Sequence, residues 1–256
     1  MTFNWYEPRP GACEPDCRGW IAAVGVITND TPKIFDEFAQ DRAVTGTTVV
    51  LDSSGGSVVE AIALGRRLRD LNVKTTVGTV VEQSTARGSE RAILPDAYCE
   101  SMCAFVLLSG KTRYVPEGAH VRVHQIWMGD RADHAQEASY TAQDLTIIQR
   151  DIGRLAKYTF DMGGAGDLLA LALGVAPWEP LRELSVSELH ATNLVSSDAV
   201  ANAGPAVLAD RHAGLDVKPI QDRLVPGNEP KAVSAGTKTA EAIVPTGGAA
   251  TAPPRQ

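Results

Sequence analysis

The sequence predicts an α/β protein built around a mostly parallel sheet. Three observations predict it. Compact β-branched runs, of which Thr47-Thr48-Val49-Val50-Leu51 is the clearest, alternate with stretches of helical period. A Gly55-Gly56 turn joins that run to the next helical stretch, giving the strand–turn–helix order from which parallel sheets are built. A long periodic segment over 135–162, ended by Gly163-Gly164, supplies one extended helix.

Taken in order, residues 1–19 hold Pro8, Pro10, Gly11 and Pro15 and read as an irregular arm. A first strand is expected over 20–28, with Ile21, Val24, Val26 and Ile27. Over 31–40 a short helix follows: Thr31 caps it, Pro32 fits its first position, and Ile34, Phe35 and Phe38 form its apolar face. Residues 47–51 suit a buried parallel strand, 58–71 a helix with Val58, Ile62, Gly65, Leu68 and Leu71 on one side, and 74–81 another strand. The polar stretch 82–98 lacks a clear period and reads as an insertion, either a plain surface loop or a flap over a site. Over 114–125 apolar Ala119, Val121 and Val123 alternate with His120, Arg122 and His124, so the two histidines share a strand face. In the long helix Leu145, Ile148, Ile152, Leu155 and Thr159 recur at three and four residues. A last helix is expected over 185–194, with Val195 opening a closing strand. The domain so described spans 20–200. Beyond it, 25 of the 56 residues 201–256 are Ala, Pro or Gly and none is Phe, Tyr or Trp. Such a tail cannot bury enough apolar surface to offset its ordering entropy and is expected to be disordered.

Bulk properties narrow the partners. A net charge of −7 argues against nucleic acid, and no apolar run reaches membrane-spanning length. The first twenty residues have no signal-peptide core, so the cytoplasm is the expected compartment, with the periplasm or exterior in play if a leader precedes the chain. The four cysteines form two pairs spaced C-x3-C, Cys13 with Cys17 and Cys99 with Cys103. Disulfides, reduced thiols and a four-thiolate zinc site all fit that spacing. His134, His190 and His212 lack metal-ligand spacing, and no metal or cofactor is expected.

The chemistry centres on Cys99-Glu100-Ser101-Met102-Cys103-Ala104-Phe105, a tight turn carrying a serine and leading into an apolar helix. A serine there meets free backbone N–H groups, which favour a nucleophile, although Ser is also an ordinary N-cap residue. The Gly55-Gly56 turn can aim amides at a developing oxyanion, and His124 at a strand end can act as general base. Cys99 and Cys103 flank Ser101 as rival thiol nucleophiles.

In the segments Ser53-Ser54-Gly55-Gly56-Ser57-Val58, Ser101-Met102-Cys103-Ala104-Phe105 and His124-Gln125, in that order, the chain resembles the ClpP family of serine peptidases within the wider ClpP/crotonase fold. The likeness covers roughly 20–200. It implies a ClpP/crotonase-like spiral of β-β-α units with a mostly parallel sheet, and peptide hydrolysis with Ser101 as nucleophile and His124 as base. It also implies an oxyanion site at Gly55, Gly56 and Met102, a peptide or unfolded-protein substrate, a homo-oligomer, and an ATP-driven unfoldase as candidate partner. The chain departs from the family at the acid, whose aligned position is Leu181; Glu179 and Glu183 flank it, and Glu183 is the candidate. Two further readings stay open: an inactive scaffold or binding subunit on the same fold, and a crotonase-like acyl-CoA enzyme.

Overall fold

The computed structural model describes residues 1–7, 19–85, 88–129 and 139–197, and for 82–92 the backbone alone. The main sheet has five strands in the order β1 (Thr2–Tyr6), β2 (Trp20–Val24), β3 (Thr48–Asp52), β4 (Lys74–Val77) and β8 (Thr112–Tyr114). Strands β2, β3, β4 and β8 run parallel; β1 pairs antiparallel with β2, Thr2 opposite Val24 and Tyr6 opposite Trp20. The sheet is therefore mixed but mostly parallel. All five residues of β3 are buried, as expected of a strand covered on both faces.

Helices α1 (Thr31–Ala39) and α2 (Val58–Asp70) make the crossovers from β2 to β3 and from β3 to β4. Pro32 sits in the first turn of α1, where its missing N–H costs nothing. The Ser57 hydroxyl caps α2 by accepting from the Glu60 N–H. A second sheet, β10 (Arg182–Glu183), β9 (His120–Val123) and β7 (Tyr98–Glu100), has β7 and β9 parallel and β10 antiparallel. Between β7 and β8 lies α3 (Met102–Leu107), and α4 (Ala142–Asp161), α5 (Gly166–Leu173) and α6 (Val186–Ala191) complete the fold.

The core joins Ile21, Val49, Leu64 and Leu68 to Val106, Leu107 and Leu155. Polar side chains close the helix ends inside it. Arg69 on α2 donates to the carbonyls of Leu108, Ser109 and Met162, capping the C-terminal ends of α3 and α4 together. The Tyr158 hydroxyl on α4 donates to the Phe105 carbonyl at 2.9 Å, and Gly65 of α2 leaves room for it.

Several expectations are corrected. The segment expected as an irregular arm holds β1, because Phe3, Trp5 and Tyr6 pair and pack against β2 and α1; residues 8–18, with Cys13 and Cys17, lie outside the described residues. The stretch 82–98 is not a loop. Residues Thr79–Thr85 (β5) and Gly88–Leu94 (β6) form an antiparallel hairpin, with Thr79 opposite Leu94. The long helix begins at Ala142 rather than 135, since Thr141 and Asp144 form a reciprocal capping box. Residues 130–138 lie outside the described residues. The strand expected over 114–125 is two, β8 and β9, broken at Pro116 to Gly118. Val195 opens no strand; it is buried and donates to the Leu189 carbonyl. The segment 201–256 lies outside the described residues.

Candidate active site

Ser101 links β7 to α3 with φ 55° and ψ −121°. A non-glycine residue there carries backbone strain on the order of 1–3 kcal/mol, kept only when its surroundings over-determine it. Three contacts do so. The Ser101 N–H donates to the Arg122 carbonyl at 2.8 Å, tying the turn to β9. Glu100, buried just before the turn, accepts from Arg122 Nη1 at 3.2 Å. A disulfide joins Cys99 to Cys103 and brackets the serine. That bond rules out reduced thiols at this pair, a four-thiolate zinc site using it, and a thiol nucleophile flanking Ser101. The bland capping reading of Ser101 also fails: its hydroxyl makes no capping bond, and its backbone lies outside the extended region that caps adopt. With six residues, α3 offers only a short dipole, so what Ser101 gains is direction more than field.

The glycine turn reaches the serine through the sheet. At the end of β3, Ser53 bridges to Cys99: its N–H donates to the Tyr98 carbonyl and its carbonyl accepts from the Glu100 N–H, both at 2.9 Å. The next residues are thereby laid against the Ser101 turn. Gly55 has φ +90°, and a Cβ on it would lie 2.9 Å from the Met102 nitrogen. Gly56, at φ +137°, is held by Ile27, which donates to the Gly55 carbonyl and accepts from the Ser57 N–H. Of the three expected oxyanion amides, Gly55 N–H already donates to Ser53 Oγ at 3.1 Å. Met102 is the first residue of α3, so its N–H has no intrahelical acceptor.

His124 follows β9, and its Nδ1 lies 2.8 Å from the Gln125 carbonyl oxygen. A carbonyl cannot donate, so this contact places the proton on Nδ1 and leaves Nε2 as acceptor, the form a general base needs. Burial pushes the His124 pKa below the ordinary value, and the Gln125 hydrogen bond opposes that only in part. Ser101, His124, Gly56 and Met102 line one cavity of about 520 Å³. Among the described residues, Ser101 Oγ makes no hydrogen bond to His124; catalytic contacts often tighten only with substrate bound.

Glu183 is not brought to His124. It accepts from His120 Nδ1 at 2.7 Å and from Arg122 Nε at 3.3 Å. Burial pushes its carboxyl up, but those two partners outweigh that and hold it below the usual range. The antiparallel register explains the placement. Glu183 is opposite Arg122 and Arg182 opposite Val123, so the strand pairing carries Glu183 to Arg122.

Sequence reasoning missed the cavity wall: Ile126 and Trp127 after β9, Ile147 and Asp151 on α4, and Leu169 on α5. Asp151 lies at helical spacing between Ile147 and Leu155, a signal available but hidden among apolar neighbours. Among the described residues no group of three His, Cys, Asp or Glu side chains could hold a metal ion, and no helix is long and apolar enough to cross a membrane. The chain matches no protein-family model and no curated protein.

Proposed function

We propose that the chain is a serine peptidase resembling ClpP, on a ClpP/crotonase-like spiral. The observation that carries this is the juxtaposition at one cavity of a serine in a strained strand-to-helix turn and a histidine with Nε2 free to accept. Ser101 Oγ attacks a peptide carbonyl carbon as its proton passes to His124 Nε2. The Met102 amide, joined by a glycine-turn amide, holds the oxyanion. Collapse breaks the C–N bond, and the amine leaves with the proton from His124. Water then cleaves the acyl-enzyme by the same two groups. No step needs a cofactor. The apolar wall suits a peptide segment, and the Cys99–Cys103 bond favours an oxidising compartment over the cytoplasm. A homo-oligomer and an ATP-driven unfoldase belong to the same proposal through the resemblance alone.

A second reading, an inactive scaffold on this fold, draws support from the absence of a Ser101–His124 hydrogen bond and from Leu181 at the position that the resemblance gives to the acid. A crotonase-like acyl-CoA enzyme gains nothing from the Ser-His pair. Fluorophosphonate labelling separates the peptidase from the other two readings. The expected result is labelling of wild type and Cys103→Ala, with loss in Ser101→Ala and strong reduction in His124→Ala. Labelling that survives Ser101→Ala rejects the serine mechanism. Absence of labelling in all four proteins favours the scaffold.

A further inference from the structure

We propose that His124 is oriented by the Gln125 backbone carbonyl, which stands where a Ser-His-acid site would have its carboxylate, and by the Trp127 ring packed against the imidazole. The inference rests on the reading of Ser101 and His124 as a hydrolytic pair. It begins from four carboxylates among the described residues, each of which has another partner. Glu183 holds His120 and Arg122, and Glu100 holds Arg122. Glu179, the other candidate acid, accepts from the Ala176 N–H at 2.8 Å and so closes its own turn. Asp151, on the α4 wall of the cavity, pairs with Arg154 at 3.1 Å and Arg150 at 3.6 Å.

What does hold the imidazole is fixed in its turn. The Gln125 N–H donates to the Val175 carbonyl at 3.0 Å, which pins the peptide segment whose oxygen receives Nδ1–H. The Trp127 ring lies 4.3 Å from the imidazole, tilted 41°, and limits its rotation. A carbonyl selects the tautomer as a carboxylate does. Unlike a carboxylate it brings no full negative charge, so it stabilises the imidazolium less. Trp127 is therefore a positioning residue, and His124 is a base whose proton affinity is set by burial and a neutral acceptor.

Nitrogen-15 NMR of the histidine rings tests this without relying on turnover. The expected result for wild type is an Nδ1–H tautomer at His124. Glu183→Gln, which removes the carboxylate held by His120 and Arg122, leaves the His124 titration in place. Trp127→Ala slows fluorophosphonate labelling on the order of tenfold or more and blurs the tautomer signal, and Trp127→Phe restores both, a pattern that general unfolding would not give. An Nε2–H tautomer in wild type, or a His124 titration that falls in Glu183→Gln, overturns the proposal. Wild type that shows the expected tautomer and titrations but takes up no probe retires the peptidase reading and leaves the orientation of His124 standing.

Discussion

Gly55 lies so close to Ser101 that a methyl group on it would fall 2.8 Å from the Ser101 Cβ and 2.7 Å from the Glu100 carbonyl oxygen. Both contacts are tighter than real Cβ atoms show, and the second is with backbone. The φ of +90° adds strain for any L side chain. Gly55→Ala must therefore push the glycine turn and the Ser101 turn apart. The expected cost is on the order of 1–3 kcal/mol, or roughly 2–4 °C in Tm per kcal/mol, read by thermal unfolding. Probe labelling should fall about a hundredfold, as for loss of one oxyanion donor. A variant of unchanged stability and labelling would contradict the contact.

The Cys99–Cys103 bond closes a loop with a sequence separation of only 4 around Ser101. Loop-closure entropy for so short a loop is worth about 2 kcal/mol. Its larger effect falls on the serine, since it restrains the backbone on both sides of a strained residue. Reductant is expected to lower the wild-type Tm by a few degrees and to slow labelling. The Cys99→Ser, Cys103→Ser double variant should start at the lower values and ignore reductant. Equal reductant sensitivity in both proteins would assign the effect elsewhere.

The legible parts of the chain were those where local pattern and tertiary role agree. The buried run before Gly55 gave β3, Pro32 marked the first turn of α1, although Asp30 rather than Thr31 holds the N-cap position, and the Gly55-Gly56 turn preceded α2. Ser101, Gly56, Met102 and His124, each read from a short segment, line one cavity. The failures were of two kinds. Local signals were outvoted in β1, where prolines nearby in sequence masked an aromatic strand that pairs only when β2 is present. Long-range register decided the acid. Only the pairing of β10 with β9 shows that Glu183 meets Arg122 and His120, and no spacing in sequence carries that. The cavity wall was illegible for the same reason, since α4, α5 and the segment after β9 meet only in three dimensions.

Tyr158 and Gly65 make a testable pair. The buried Tyr158 hydroxyl donates to the Phe105 carbonyl, and Tyr158→Phe leaves that acceptor without its donor at a cost of about 1–3 kcal/mol. Gly65→Ala places a Cβ 1.9 Å from the same hydroxyl oxygen, so tyrosine must move and α2 must part from α4. With the hydroxyl gone the nearest remaining ring atom is 2.8 Å away, a milder clash. The double variant should therefore lose less stability in urea unfolding than the two single losses added together. Full additivity would mean that the two residues do not meet.

The last prediction concerns His124 and acid. Burial lowers its folded pKa beneath the ordinary 6.5, with the Gln125 hydrogen bond only partly offsetting this. In the unfolded chain the ring returns to its ordinary value. Between the two values the unfolded state holds a proton that the folded state lacks, so the unfolded state is favoured as pH falls. The contribution of neutral His124 is fully present above about pH 7.5 and is lost as pH drops through 6.5 toward the folded pKa, by at most about 1.4 kcal/mol per pH unit for one proton. Carboxylates also titrate on the acid side, so wild type must be compared with His124→Gln, which keeps a polar side chain but cannot charge. The expected result is a constant stability difference from pH 7.5 to 9. Below pH 6.5 that difference should move steadily in favour of the variant, measured by urea unfolding across the series. Probe labelling of wild type should fall with an ionisation lying under 6.5. A stability difference independent of pH would show that His124 is not buried as a neutral ring, and one moving in favour of wild type at low pH would mean a charge partner holds it.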